Sequence, residues 1–203
     1  MKEILPDIFT WSEFSEEKQL NFNGYLLVSE EESVLIDPPG MSDTDLTELG
    51  ERAGRNSASP LKAILLTNVH HERASGELAA KLNVPVWIHE KDYAGLERKA
   101  EKTFNSDEGL PCGLKTFNFE NQKSPGESGF FLEERRLMFV GDALIGKVPG
   151  KVNMLPPEKY NDFAQAKNGL HKIFDFDFDC LLVGDGESIL QGAKDSVKNF
   201  LER

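Results

Sequence analysis

Short apolar runs cut by charged or Gly/Pro turns alternate along this chain with longer stretches of mixed polarity. Ile8 to Trp11, Leu20 to Val28 and Ser33 to Asp37 read as strands, the last two joined through the acidic turn Ser29-Glu30-Glu31-Glu32 into a hairpin. Pro38-Pro39-Gly40 stops that hairpin, and Ser42 with Asp45 three residues on predicts a capped helix to about Ala53. After Pro60 come the apolar strand Ala63 to Leu66, a helix to about Leu82, the strand Val84 to Ile88 and a charged helix from about Lys91 to Lys102. Asn105 to Gly113 reads as a loop and Leu114 to Phe119 as a strand. The pattern then predicts a loop from Ile145 to Pro157, a helix to about Phe174, the buried strand Cys180 to Val183 and a closing helix from Ile189 to Leu201.

A second hairpin, Gly129 to Asp142, echoes the first. Gly24-Tyr25-Leu26-Leu27-Val28 turns through acids into Val34-Leu35-Ile36-Asp37, and Gly129-Phe130-Phe131-Leu132 turns through charges into Leu137-Met138-Phe139-Val140-Gly141-Asp142. Two related halves, each ending in an aspartate at a strand's carboxyl end, point to an α/β (α+β) chain in one domain, residues 1–203. Between the halves lies the stretch richest in chemistry, Leu65-Leu66-Thr67-Asn68-Val69-His70-His71-Glu72-Arg73-Ala74-Ser75-Gly76. Its polar residues fall at the carboxyl mouth of a buried strand, where α/β proteins place their sites.

A formal charge of −12 argues against binding a phosphate backbone, so nucleic acid is not an expected partner. No apolar run reaches the length of a membrane span, and Met1-Lys2-Glu3-Ile4-Leu5-Pro6 lacks the pattern of an export signal, which makes the cytoplasm the expected compartment. Cys112 and Cys180 stand in unrelated contexts without a Cys-x-x-Cys partner and are expected to be reduced thiols. There is no Gly-rich phosphate loop and no G-x-S-x-G; Ser124, Ser128 and Ser188 have no base directed at them by the sequence.

Thr67 to Arg73 resembles the T-H-x-H-x-D-H signature of the metallo-β-lactamase superfamily, with Asn68, Glu72 and Arg73 standing where the family has His, Asp and His, and His70 retained. Further motifs follow in order. T-P-G-H appears as Ser124-Pro125-Gly126-Glu127, G-D as Gly141-Asp142, and G-H-G as Gly184-Asp185-Gly186. The resemblance implies a four-layer αββα sandwich and a site for two metal ions that activate water. The first position would be formed by Asn68, His70, Glu127 and Asp142, a set of mostly oxygen donors suited to one divalent ion, Mn²⁺, Fe²⁺ or Mg²⁺ more than Zn²⁺. The second would be formed by Glu72, Arg73, Asp142 and Asp185, and a guanidinium has no lone pair to give a metal.

Two expectations result. One is a hydrolase of a small ester, thioester or amide, with Glu72 or Asp185 handling the proton beside one ion. The other is a metal-free, catalytically inert relative acting as a binding or interaction protein, with Arg73 and Lys123 supplying charge to Glu127, Asp142 and Asp185; the expected ligand is a small molecule of unknown identity. Asp37 is a candidate support for the site or a plain strand-end acid. His71 is expected to be an ordinary hydrogen-bonded residue, or a ligand if the local register slips by one. His89 and His171 read as surface residues, and Asn153-Met154-Leu155-Pro156-Pro157 as a wall of the pocket.

Overall fold

The computed structural model describes residues 1–202. Seven strands form one sheet in chain order: β1 (Lys2–Leu5), β2 (Ile8–Ser15), β3 (Leu20–Val28), β4 (Ser33–Ile36), β5 (Leu61–Leu65), β6 (Val86–His89) and β7 (Lys102–Phe104). Pairing is antiparallel from β1 to β4 and parallel from β4 to β7. The helices α1 (Asp43–Ala53) and α2 (Ser75–Leu82) are crossovers of the parallel half, as parallel neighbours require. The strands β8 (Lys115–Asn118), β9 (Ser128–Leu132) and β10 (Leu137–Val140) join β13 (Cys180–Val183) in a second sheet of order β13-β10-β9-β8. A small separate hairpin, β11 (Ile145–Val148) and β12 (Lys151–Asn153), precedes α3 (Phe163–Gly169), and α4 (Ala193–Leu201) closes the described chain.

Side-chain alternation explains the layering. In β4, Val34 and Ile36 face the second sheet while Leu35 faces α1 and α2; in β10, Leu137 and Phe139 face the first sheet while Met138 and Val140 face α3 and α4. Three apolar layers follow: Leu49, Ala53, Leu78 and Ala79 of the helices against the first sheet, the two inner faces against each other, and Ala166, Val197 and Leu201 against the second. This is the expected αββα sandwich. Helix α1 starts where its cap predicts, the Asp45 N–H donating to Ser42 Oγ at 3.1 Å.

The closing helix starts at Ala193 where Ile189 is expected, and the helix expected to Phe174 is 3₁₀ from Leu170; three further segments near the site differ from their expected form. Lys91 to Lys102 is no helix: a 3₁₀ turn at Glu90–Gly95 leads into an irregular strip and then β7. The cause is tertiary, because the carboxylate of Asp92 is drawn inward to accept from the Val69 and Gly126 N–H groups, while the Glu97 and Arg98 N–H groups donate to Glu72 instead of to a helical carbonyl. Ile145 to Pro157 contains the β11–β12 hairpin, turned at Gly150 with φ +74°, which a glycine adopts without strain. The first expected strand, Ile8 to Trp11, continues to Ser15 and with β3 forms a hairpin that reaches beyond the sandwich over the site.

Candidate functional site

Chain direction after β5 is set by a small capped turn. Asn68 caps the 3₁₀ turn Val69–His71, its Oδ1 accepting from the His70 N–H at 2.8 Å. That turn swings His71, not Glu72, into the buried space between the two sheets' carboxyl ends. Asp37, at the end of β4, fixes it there: its carboxylate accepts from Thr67 N–H (2.8 Å), Thr67 Oγ1 (2.6 Å) and His71 Nδ1 (2.7 Å). His71 Nε2 then faces Asp142 Oδ1 at 3.3 Å and Asp185 Oδ1 at 3.8 Å. The approach is tight enough that a Cβ on Gly184 would overlap the His71 ring, and one on Gly141 would overlap Thr67 and Asn68, which gives both glycines of the Gly-Asp motifs a steric reason.

The residues that follow part company. Glu72 turns away, accepting from the Glu97 and Arg98 N–H groups at 2.8 Å each. Arg73 takes a left-handed backbone conformation, φ 41°, worth roughly 1–2 kcal/mol of strain for a residue with a Cβ. The strain turns its guanidinium back over the site, where it donates to the carbonyls of Asn23 (2.9 Å), Asp37 (3.1 Å) and Gly184 (3.2 Å) and to Asp185 Oδ1 (2.6 Å), and lies 4.9 Å from the Phe22 ring centre. Across the site, Lys123 Nζ donates to Asp142 Oδ2 at 2.8 Å.

Glu127 lies fully buried behind Asp142. Its Oε1 accepts from Asn68 Nδ2 (3.2 Å) and from the N–H groups of Asp142 (2.9 Å) and Ala143 (3.1 Å), and its Oε2 has no partner. Asn68 therefore directs its amide NH₂ at Glu127 and its carbonyl oxygen at the backbone. His70 lines the outer cleft, exposed, without joining this cluster.

Burial is the largest influence on Glu127, Asp142 and Asp185, and the neighbours decide the outcome. Burial, reinforced by the charge of Asp142, pushes Glu127 well above the usual carboxylate range. Burial works the same way on Asp142, but the contact and charge of His71, with Lys123, outweigh it and hold Asp142 below that range. Asp185 is raised by burial against the pull of His71 and Arg73. His71 meets burial and the Arg73 charge, both opposing protonation; Asp37 and Asp142 prevail and raise it to about 10, so the ring is an imidazolium at neutral pH. His70 is lowered by burial and by Lys123. In geometry Asp37 and Asp142 flank His71, Asp185 meets Arg73, and Asp142 also meets Lys123.

Of the residues singled out by sequence, the fold brings Asp142, Asp185 and Arg73 together with Lys123, and sets Asn68 and Glu127 against each other one layer deeper. Glu72 and His70 stand apart from that cluster. His71, buried and central, carried no distinct sequence signal beyond its place beside His70. Among the described residues, His71, Asp142 and Asp185 are the one group of three whose metal-type donor atoms fall within 4.8 Å of one another. Above them opens a cleft of about 320 Å³, walled in part by Leu20 and Phe22 of the overhanging hairpin, by Ile145, and by Leu155 and Pro156.

Two sheets in αββα layers with a His/Asp/Asp cluster at their carboxyl ends define a metallo-β-lactamase-type fold. The chain belongs to the metallo-β-lactamase superfamily, whose family model matches residues 1–203. It is similar in structure to DIM-1 metallo-β-lactamase (TM-score 0.75, 14% identity, covering 99% of this chain and 95% of that one). It is similar also to VMB-1 (TM-score 0.76, 13% identity, 99% and 94%) and to a metallo-β-lactamase from Pontibacter korlensis (TM-score 0.74, 16% identity, 99% and 96%). At these identities the likeness is one of fold. No curated protein matches the sequence. Among the described residues no helix is long and apolar enough to cross a membrane.

Proposed function

We propose that this protein is a metal-independent member of the superfamily that binds a small molecule in the cleft above His71, with His71, Arg73 and Lys123 holding the places of the family's metal charges. The observation that carries this reading is the position of Arg73: its Nη2 lies 2.6 Å from Asp185 Oδ1, the same oxygen that faces His71 Nε2. A metal shared by His71 and Asp185 would have to displace a guanidinium held by three backbone carbonyls. It would also have to take the proton from an imidazole that two aspartates keep charged. A second ion fits no better. Asn68 offers a donor where a ligand needs a lone pair, and Glu127, with Oε1 taken by three N–H groups and only the buried Oε2 free, belongs to no group of three metal-type donors among the described residues.

This reading predicts that protein grown with zinc, manganese and iron and purified without chelator contains well under one equivalent of metal by elemental analysis. Arg73→His, which frees Asp185 and adds an imidazole, is expected to bind more divalent ion than the natural chain. About one ion per natural chain would overturn the reading. It would favour a one-metal hydrolase of a small ester, thioester or amide, for which the partnerless His71 Nε2 near Asp142 and Asp185 is the supporting observation. In that case those three residues would hold the ion and the ion would supply an activated water.

A further inference from the structure

The cleft's charge is opposite to that of the chain. Acids outnumber bases 35 to 23 overall, yet the acids lining this cleft are Asp142 and Asp185, each already bonded to Lys123 or Arg73. Around its mouth stand Lys18, in the turn between β2 and β3, Lys147 on β11, and Lys159, which ends the 3₁₀ turn Pro157–Lys159. Among the described residues Lys147 and Lys159 form no ion pair, and Lys18 has a fully solvated neighbour, Glu17, at 2.6 Å. Three elements remote in sequence therefore bring ammonium groups to one opening, where Lys147 and Lys159 have no ion-pair partner among the described residues and Lys18 has only the solvent-exposed Glu17. Such an arrangement stabilises the folded chain in no evident way, since like charges around a common mouth repel.

The type of cation narrows the ligand. A guanidinium fork matches a planar carboxylate, and the fork at this site, Arg73, is consumed by protein acceptors. Lysines are mobile point charges that can approach a tetrahedral group from several sides. Phe22, Ile145 and Leu155 give the cleft an apolar wall below them. We propose that the cleft binds a small phosphate monoester, its dianion gripped by Lys18, Lys147 and Lys159 and its organic part seated against Phe22, Ile145 and Leu155. The proposal rests on the metal-independent reading of the same site.

Titration calorimetry of the full chain with phenyl phosphate, phenol and benzoate tests it, on protein of measured metal content, with and without EDTA. Phenyl phosphate is expected to bind, to weaken with added salt, and to bind far better than phenol or benzoate. Removing one exposed lysine should weaken it about fivefold, the scale of one charge pair in water, so Lys147→Ala with Lys159→Ala should cost on the order of twentyfold at unchanged melting temperature. Absence of phenyl phosphate binding to metal-free protein, or equal affinity in the double variant, overturns this proposal and leaves the metal-independent reading standing. Equal binding of benzoate overturns the assignment to phosphate. Binding that requires resident metal and is abolished by EDTA overturns both.

Discussion

His71 is buried, held by Asp37 on one nitrogen at 2.7 Å and faced by Asp142 on the other at 3.3 Å. Its charge state therefore couples directly to folding. An imidazole raised to about 10 in the fold contributes stability that is complete below its unfolded value of about 6.5 and is lost as pH rises towards 10. Glu127, whose folded pKa is also raised, adds a loss in the same direction, since from about pH 4.3 upward the unfolded chain can ionise it freely and the fold cannot. Asp142 has the opposite sign: its depressed pKa contributes stability above about pH 3.9 that disappears as pH falls below. Thermal melting is thus expected to be highest between about pH 4 and 6.5 and to fall steadily towards pH 9. The alkaline part of the fall should be blunted in His71→Gln, a variant that is itself destabilised by about 3–5 kcal/mol because it leaves buried acids uncompensated. A melting temperature that rises from pH 6 to pH 9 would contradict the imidazolium assignment.

One scale up, the site depends on two short turns that no local signal announces. The sequence marks Thr67 to Arg73 as following the end of a strand, and the fold ends β5 at Leu65 and sets the segment beside the buried polar cluster. It does not identify which side chain points inward, because that is decided by the 3₁₀ turn Val69–His71, and a one-residue difference between a 3₁₀ turn and an extended loop exchanges His71 for Glu72. The same holds for Glu90–Gly95, where a helix is expected from charge and spacing. Asp92 is the reason for its actual course: almost fully buried, it accepts from Val69 N–H at 2.9 Å, from Gly126 N–H at 2.7 Å and from Ser124 Oγ. It thereby ties the turn carrying His71 to the loop carrying Lys123. Deleting it leaves a buried N–H (Gly126) and a partly buried one (Val69) unmatched, at about 1–3 kcal/mol for a buried group, so Asp92→Ala should cost roughly 2–5 kcal/mol in urea denaturation. The exposed neighbour Glu90→Ala should cost less than about 0.5 kcal/mol. Similar costs for the two would mean that Asp92 does not anchor the turn.

At the scale of the molecule, what was legible is what repeats: two hairpins of alternating side chains, each closing on an aspartate, became the adjacent inner strands of two facing sheets. The β11–β12 hairpin and the overhang of β2 and β3 were not legible, because their residues pack over a cleft that exists only once the sheets have met. Cys112 and Cys180 report on that meeting. Both belong to the apolar layer between the sheets, one from the turn Pro111–Gly113 and one from β13, and burial pushes each thiol up to about 12. Neither should react with a disulfide reagent at pH 8 in the native state, since the thiolate is both scarce and enclosed. Labelling then requires the sandwich to open, and the physical question is whether it opens as one unit. Cys112 sits at the sheet's rim with its N–H on Glu32 Oε1 at 2.5 Å, while Cys180 is covered by strand pairing to Leu137. If the inter-sheet layer is cooperative, the two cysteines should label at one rate with one dependence on urea, set by global unfolding. A Cys112 rate that is faster and nearly independent of urea would locate a local opening at that rim, and the layer would not behave as a single cooperative core.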